Sequence, residues 1–236
     1  MRDYGRMKLS VIIPALNEEE SLPVVLAQLP WSILHQVIVV DNGSQDRTAE
    51  VAAAAGALVV CEARRGYGSA CMAGVRAAPE AEVLIFLDAD GSFDADDIPL
   101  LVDPIARGEA ELVLGSRLAG VREPGAMPWH GVMGNWLVAR VISRLANIPL
   151  TDLGPFRAIK RLTLERLRME ERTYGWPSEM IVKAAQLGVP IREMPVRYRR
   201  RRGGYSKVSG TWRGTLGAAY RILRVTYKYA RNIEGR

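Results

Sequence analysis

Asp88 and Asp90 close the string Leu84-Ile85-Phe86-Leu87-Asp88-Ala89-Asp90. Its four apolar residues read as a strand buried on both faces. Two carboxylates at the end of such a strand cannot stay buried and unpaired; they need water, a cation or a cationic partner. In an open α/β sheet, ligands sit outside the carboxyl ends of the strands. The spacing therefore places two hard oxygen ligands where a ligand would bind. Mg²⁺ takes one or two carboxylates together with the oxygens of a substrate phosphate. Asp88-Ala89-Asp90-Gly91 is also favourable turn chemistry, and the run alone fits either reading.

Other polar turns follow apolar runs in the same way. Pro14-Ala15-Leu16-Asn17-Glu18 follows Leu9 to Ile13, and Asp41-Asn42-Gly43-Ser44 with Asp46 follows Gln36 to Val40. Three such ends at one edge of a sheet would form one crevice. A nucleotide is a natural occupant, because carboxylates accept from base N–H groups and ribose hydroxyls.

The elements that must carry these residues alternate over the first 120 positions. Strands are expected at 9–14, 36–40, 57–61, 82–87 and 111–114. Helices are expected at 17–29, 46–55, 66–78 and about 96–107. Gly56 and Pro79 stop the second and third helices. This β/α alternation predicts an α/β fold with a mainly parallel sheet wrapped by helices. The second half predicts helices at 130–146 and 178–187, a short strand at 156–159, and an alternating strand at 191–198. A C-terminal amphipathic helix is expected over 211–231, with Trp212, Leu216, Tyr220, Leu223 and Tyr227 on its apolar face. The whole reads as one domain over 8–232. Ile233-Glu234-Gly235-Arg236 has the form of a protease-site tag and carries no fold expectation.

The composition is that of an ordinary globular protein: 236 residues, 48% hydrophobic and 25% charged. Cys61 and Cys71 form no disulfide framework and suit a reducing compartment. No apolar stretch is long enough to predict a transmembrane helix, and no signal peptide is expected at the start. The net charge of +6 is concentrated. Arg197, Arg199, Arg200, Arg201, Arg202, Lys207 and Arg213 crowd one stretch, which calls for an anionic partner or a solvated loop.

Val11-Ile12-Ile13-Pro14-Ala15-Leu16-Asn17-Glu18, Val39-Val40-Asp41-Asn42-Gly43-Ser44-Gln45-Asp46-Arg47-Thr48 and Asp88-Ala89-Asp90 together resemble the family 2 glycosyltransferases, which have the Rossmann-like GT-A fold. Gly115-Ser116-Arg117, Gly134-Asn135, Asp152-Leu153-Gly154-Pro155-Phe156-Arg157 and Arg202-Gly203-Gly204-Tyr205-Ser206-Lys207 are similar to the dolichol-phosphate mannose synthase-like branch. The resemblance implies that Pro14, Ala15, Asn17, Glu18, Asp41 and Asp46 hold the nucleoside. It makes Asp88 and Asp90 the pair that binds Mg²⁺ or Mn²⁺ on the diphosphate. It implies that Arg117 meets the acceptor phosphate or the donor, and that Arg202 and Lys207 close over the diphosphate. Asp41-Asn42 stands where many members have two aspartates, and Ser92 where some have glutamine.

The implied reaction is an inverting hexose transfer from UDP-glucose or GDP-mannose to a polyprenyl phosphate. A phosphomonoester, with a second pKa of about 6, needs no general base; a soluble hydroxyl acceptor does. For the second case Glu179 is the candidate base, or else a first-turn acid complementing a helix dipole. Asp152 is a second candidate, or else a turn residue. Tyr174-Gly175-Trp176-Pro177 fits a stacking platform or a loop anchor. The basic loop and C-terminal helix fit an interfacial segment. Expected with it are a cytoplasmic, membrane-peripheral location and no nucleic-acid partner, with a homo-oligomer as an alternative means of attachment. Nucleic-acid binding through the arginine block is the rival from another class, and it lacks interleaved aromatics.

Overall fold

A computed structural model describes residue 4, residues 7–203 and residues 224–229. Its elements are β1 (Leu9–Ala15), α1 (Leu22–Ala27), β2 (Gln36–Asp41), α2 (Thr48–Ala54), β3 (Leu58–Cys61), α3 (Tyr67–Ala77) and β4 (Val83–Phe86). Then come α4 (Ile98–Ala106), β5 (Leu112–Ser116), α5 (Trp129–Ala146), β6 (Arg157–Lys160), α6 (Arg161–Leu167), α7 (Trp176–Gln186) and β7 (Ile191–Pro195). Residues 224–229 are also helical.

The seven strands form one sheet in the order β3-β2-β1-β4-β6-β5-β7. The β1, β2, β3 and β4 pairings are parallel, and so is β5 with β7. β6 runs antiparallel to both of its neighbours. The expected mainly parallel α/β sheet is therefore present, with one reversed strand in it. The chain order switches direction at β1, which lies between β2 and β4. Ala15 pairs with Asp41 and Ile12 with Phe86, so the carboxyl ends of β1, β2 and β4 open side by side. This is where a doubly wound sheet leaves a crevice.

The apolar strands bury both faces. Val11, Ile13 and Ile85 pack with Leu26, Leu101 and Val102 on one side. On the other, Ile12, Val40 and Phe86 pack with Ile142, Trp176 and Met180. Phe86 and Trp176 meet edge to face at 4.8 Å between centroids, a favourable aromatic geometry. α3 lies against β1 through Gly74. A Cβ there would stand 2.4 Å from Ile12 Cγ2, on a strand with no room to move. Gly74→Ala is expected to destabilise the fold by about 1–3 kcal/mol through overpacking, read as a shift in the urea midpoint.

The first helix departs from expectation. It starts at Leu22 rather than at residue 17, with Pro23 in its first turn. Asn17 adopts φ 53°, in the left-handed region. Its backbone N–H donates to Ser44 Oγ at 2.9 Å, and its side-chain oxygen accepts from the Gln45 N–H at 2.8 Å. The Glu18 N–H donates to Thr48 Oγ1 at 2.8 Å. These cross-loop bonds hold residues 17 and 18 in a bend that a helix would forfeit.

Candidate active site

The crevice is built on the three strand ends. At the end of β2, Asp41 Oδ1 accepts the Ser44 N–H at 2.9 Å, which closes the Asp41-Asn42-Gly43-Ser44 turn. Asn42 fastens the opposite side. Its amide donates to the carbonyls of Glu62 and Arg64, and its oxygen accepts the Gly66 N–H at 2.8 Å. That amide ties β3 to the start of α3, a task an aspartate could only half perform. Asp46 is committed to the framework too. Its Oδ1 accepts the Thr48 N–H at 3.0 Å and its Oδ2 the Glu19 N–H at 3.2 Å. Burial would raise its carboxyl, but these bonds and the one from the Thr48 hydroxyl hold it below the ordinary range. Pro14 and Ala15 line the end of β1, and Asn17 is exposed beyond them.

At the end of β4, Asp90 Oδ1 accepts from the Ser92 N–H at 2.9 Å and the Ser92 hydroxyl at 2.6 Å. Gly91 makes the turn with φ 71°, a conformation suited to glycine. Asp88 makes no hydrogen bond or ion pair among the described residues. Burial first, and the neighbouring Asp90 charge second, push its carboxyl up to about 7. The guanidinium groups of Arg117 and Arg201 act in the opposite direction, and Glu18 adds to the rise. The pair is crowded negative charge facing the crevice.

A strap after β7 supplies positive charge. Arg201 lies between two acids: its Nη2 donates to Glu18 Oε1 at 2.8 Å, and its Nη1 stands 3.1 Å from Asp90 Oδ2. Glu18 is buried, and its second oxygen accepts from Ser21 Oγ at 2.7 Å. Arg197 grips Asp97 through Nε and Nη2 at 3.0 and 2.8 Å, and Arg199 pairs with Asp94. The intervening side chains go elsewhere. Arg200 donates to the Pro124 carbonyl. Arg202 is exposed, while its backbone N–H donates to the Asp90 carbonyl at 3.1 Å. The resemblance assigns Arg202 to the diphosphate; the guanidinium that meets Asp90 is that of Arg201. Within a run of arginines, only the direction of the strap separates them. Lys207 lies outside the described residues.

Arg117 is held rather than free. Its backbone N–H and Nε donate to Asp152 Oδ2 at 2.6 and 2.8 Å, and its Nη2 donates to Oδ1 at 2.7 Å. Asn135 on α5 donates to the same Oδ1 at 2.7 Å, and the Tyr198 ring lies under the guanidinium at 5.4 Å. Burial would lift the Asp152 carboxyl, but Arg117 overrides it and holds it below the usual range. Asp152 is thus the anchor of Arg117. Arg157 had no assigned role in the sequence beyond its motif. It is fully buried and donates to the carbonyls of Gly154, Pro155 and Pro177, so it joins the loop before β6 to the start of α7. Burial pushes it down to about 10.

Glu179 does not face open crevice. It is fully buried; its two oxygens accept the Glu170 and Glu171 N–H groups at 2.8 Å each, and Lys183 Nζ stands 2.7 Å away. A base needs a free lone pair within reach of the proton it takes, and these are spent on a loop. The sequence did carry a signal: Glu179 and Lys183 stand at i and i+4 on one helix. Glu179→Gln is expected to cost about 1–3 kcal/mol of stability by leaving buried partners unmatched, with turnover per folded molecule retained. Loss of turnover at unchanged Tm would restore the base role. Trp176 is likewise core, packed on Phe86 and Tyr67, so it anchors that segment, while Tyr174 is exposed.

Most of the expected C-terminal helix, 211–231, lies outside the described residues. Within 224–229, Thr226 and Tyr229 are buried, and Tyr227, which the sequence places on the apolar face, is exposed. Tyr229 sits over Lys183 and accepts Gln186 Nε2 at its carbonyl, so this turn packs on α7.

The family model described as Glycosyl transferase family 2 matches residues 10–168. An uncharacterized glycosyltransferase of Mycobacterium bovis is 44% identical over 219 residues, covering 92% of this chain and 97% of the relative. An undecaprenyl-phosphate mannosyltransferase of Micrococcus luteus is 33% identical over 242 residues, covering 93% of each. Among solved structures, glucosyl-3-phosphoglycerate synthase from Mycobacterium tuberculosis, in complex with Mn²⁺, UDP-glucose and phosphoglyceric acid, superposes with a TM-score of 0.74. It is 23% identical and is matched over 95% of this chain and 80% of its own; that likeness concerns the fold.

Proposed function

The chain belongs to glycosyl transferase family 2, and from that premise we propose that it moves a hexose from UDP-glucose or GDP-mannose to a polyprenyl phosphate at the cytoplasmic face of a membrane. The observation that carries the reading is the pair Asp88 and Asp90 at the end of β4, met by Arg201 from the strap after β7, with Arg117 in electrostatic reach of Asp88. In the reaction, a phosphate oxygen of the acceptor forms a bond to the anomeric carbon. The bond from that carbon to the nucleoside diphosphate breaks, and the diphosphate leaves with the electron pair. Arg117 and Arg201 are placed to stabilise its charge, which is preorganised electrostatics. A phosphomonoester attacks as its dianion, which suits a site whose acid, Glu179, is spent on a loop.

The residues present fit a divalent cation. Among the described residues no group of three or more His, Cys, Asp or Glu side chains forms a metal cage. Two carboxylates, with substrate phosphate and water completing the shell, is the Mg²⁺ mode. Asp88 and Asp90 would hold it, and Arg201 stands at Asp90 as a cation of the same sign. When bound, the ion supplies charge neutralisation of the diphosphate. Support for the lipid acceptor comes from the name of the Micrococcus luteus relative. No described helix is long and apolar enough to cross a membrane; the reading takes attachment as peripheral.

The test is transfer of radiolabelled hexose from each donor, with Mn²⁺ or EDTA, to undecaprenyl phosphate or to 3-phosphoglycerate. Label in the organic phase that disappears in EDTA is expected. Label confined to the aqueous phase would overturn the acceptor, and transfer undiminished in EDTA would overturn the metal.

A further inference from the structure

Arg201 joins two acids from different parts of the crevice. Glu18 follows β1 and Asp90 follows β4, and both are buried. Asp90 Oδ1 is taken by the Ser92 N–H and hydroxyl. Oδ2 is the oxygen with most to offer a cation, and it is the one that Arg201 Nη1 meets at 3.1 Å. The strap does not need this side chain to stay in place. Three backbone bonds already tie it to the turn after β4: the Arg199 N–H donates to the Ser92 carbonyl at 2.7 Å, the Arg202 N–H to the Asp90 carbonyl at 3.1 Å, and the Asp94 N–H to the Arg197 carbonyl at 3.4 Å. Arg197 and Arg199 add ion pairs to Asp97 and Asp94. The Arg201 side chain keeps 26% of its surface open to solvent. A long side chain on a fixed backbone changes partner by rotamer alone.

We propose that Arg201 is an exchangeable counter-ion: it neutralises Asp90 and Glu18 until a nucleoside diphosphate arrives, then passes to the diphosphate and releases Asp90 to the divalent cation. The inference rests on the metal reading given above and adds that ion and diphosphate bind as a coupled pair. A divalent cation arriving alone meets an acid already neutralised, with a like charge beside it. Asp88, without hydrogen bond or ion pair among the described residues, offers the lone ion one carboxylate only. Ousting the guanidinium would strand it without a partner. A diphosphate changes both conditions. Its oxygens accept the planar guanidinium fork in a bidentate manner, and its negative charge draws Arg201 and the ion alike. Each ligand then tightens the other by the same factor, because coupling is reciprocal. A staple for the strap is the competing account, and the three backbone bonds leave it little to do.

The test reads binding, not turnover, on the full chain at constant pH. Free Mn²⁺ is measured by its paramagnetic resonance signal without nucleotide, with UDP and with GDP. In the wild type, the better nucleotide is expected to tighten Mn²⁺ binding by about 10–100-fold. Arg201→Gln should bind Mn²⁺ alone about tenfold more tightly. It should respond to the nucleotide about tenfold less, because only direct ligation of the ion by phosphate remains. Arg201→Lys keeps the charge but reaches one acid at a time. It should shift in the same sense by less, and it carries the test if the glutamine variant does not fold. Unchanged or weaker binding of Mn²⁺ alone in the folded variant overturns the inference and leaves the metal reading intact. A fall in Tm alongside that result makes Arg201 a staple. Wild-type protein that takes up no Mn²⁺ even with nucleotide overturns the metal reading, and this inference with it.

Discussion

Asp90→Asn is expected to lower hexose transfer by about 10²–10³-fold in kcat, the range seen when one preorganised electrostatic contact to a developing charge is removed. Asparagine keeps an oxygen for the Ser92 N–H and hydroxyl, so the Asp90-Gly91-Ser92 turn closes as before. What goes is the negative charge opposite Arg201. Alanine would remove the turn as well and confuse the two effects. Calorimetry with Mn²⁺ in the presence of nucleoside diphosphate should show weaker binding, while Tm stays close to wild type. A variant that keeps full turnover would end the reading of Asp88 and Asp90 as a metal pair, whatever the acceptor proves to be.

The second large effect is on stability. Asp152 is completely buried and accepts four hydrogen bonds, from Arg117 N, Nε and Nη2 and from Asn135 Nδ2. Removing one partner of a buried ion pair strands the other charge, at a cost of about 3–5 kcal/mol. Asp152→Ala should therefore lower Tm by about 6–20 °C for a chain of this size. Transfer should fall too, because Arg117 loses the group that orients it. The pair also sets a pH dependence. The folded Asp152 carboxyl lies below its ordinary value, so its contribution is complete above that value and is lost as pH falls through the depressed one. Acid unfolding of Asp152→Ala should begin from a lower plateau and lack this component. A double-mutant cycle with Arg117→Gln measures the coupling, and additive losses would deny it.

Much of this was legible in the sequence, for a physical reason. Apolar runs ending in acids are local signals, so β1, β2 and β4 and the carboxylates after them could be placed within a residue or so. The start of α1 was not legible, because Asn17 and Glu18 bond to a loop nearly thirty residues away. β6 reads as a strand, but nothing in Arg157–Lys160 records that it runs against its neighbours. Glu179 carries the same first-turn spacing whether it faces a crevice or a loop; only burial and the Glu170 and Glu171 N–H groups tell them apart. On α5, Trp129, Met133, Trp136 and Leu137 have the periodicity of a core helix, and their exposure belongs to tertiary structure.

The strap after β7 has one further consequence. Arg197, Arg199 and Arg201 turn toward Asp97, Asp94, Glu18 and Asp90, Arg200 turns the other way to stand 3.8 Å from Glu123, and Arg202 is exposed. A polyanion gains affinity from a basic block by releasing condensed counterions, with a salt slope of about 0.9 per phosphate neutralised on duplex DNA. Arginines already neutralised by the protein's own carboxylates contribute little to that count. As a polyelectrolyte, then, the five arginines of 197–202 behave as about one, with Arg200 held loosely by Glu123, and titrating a polyanion against salt should return that shallow slope.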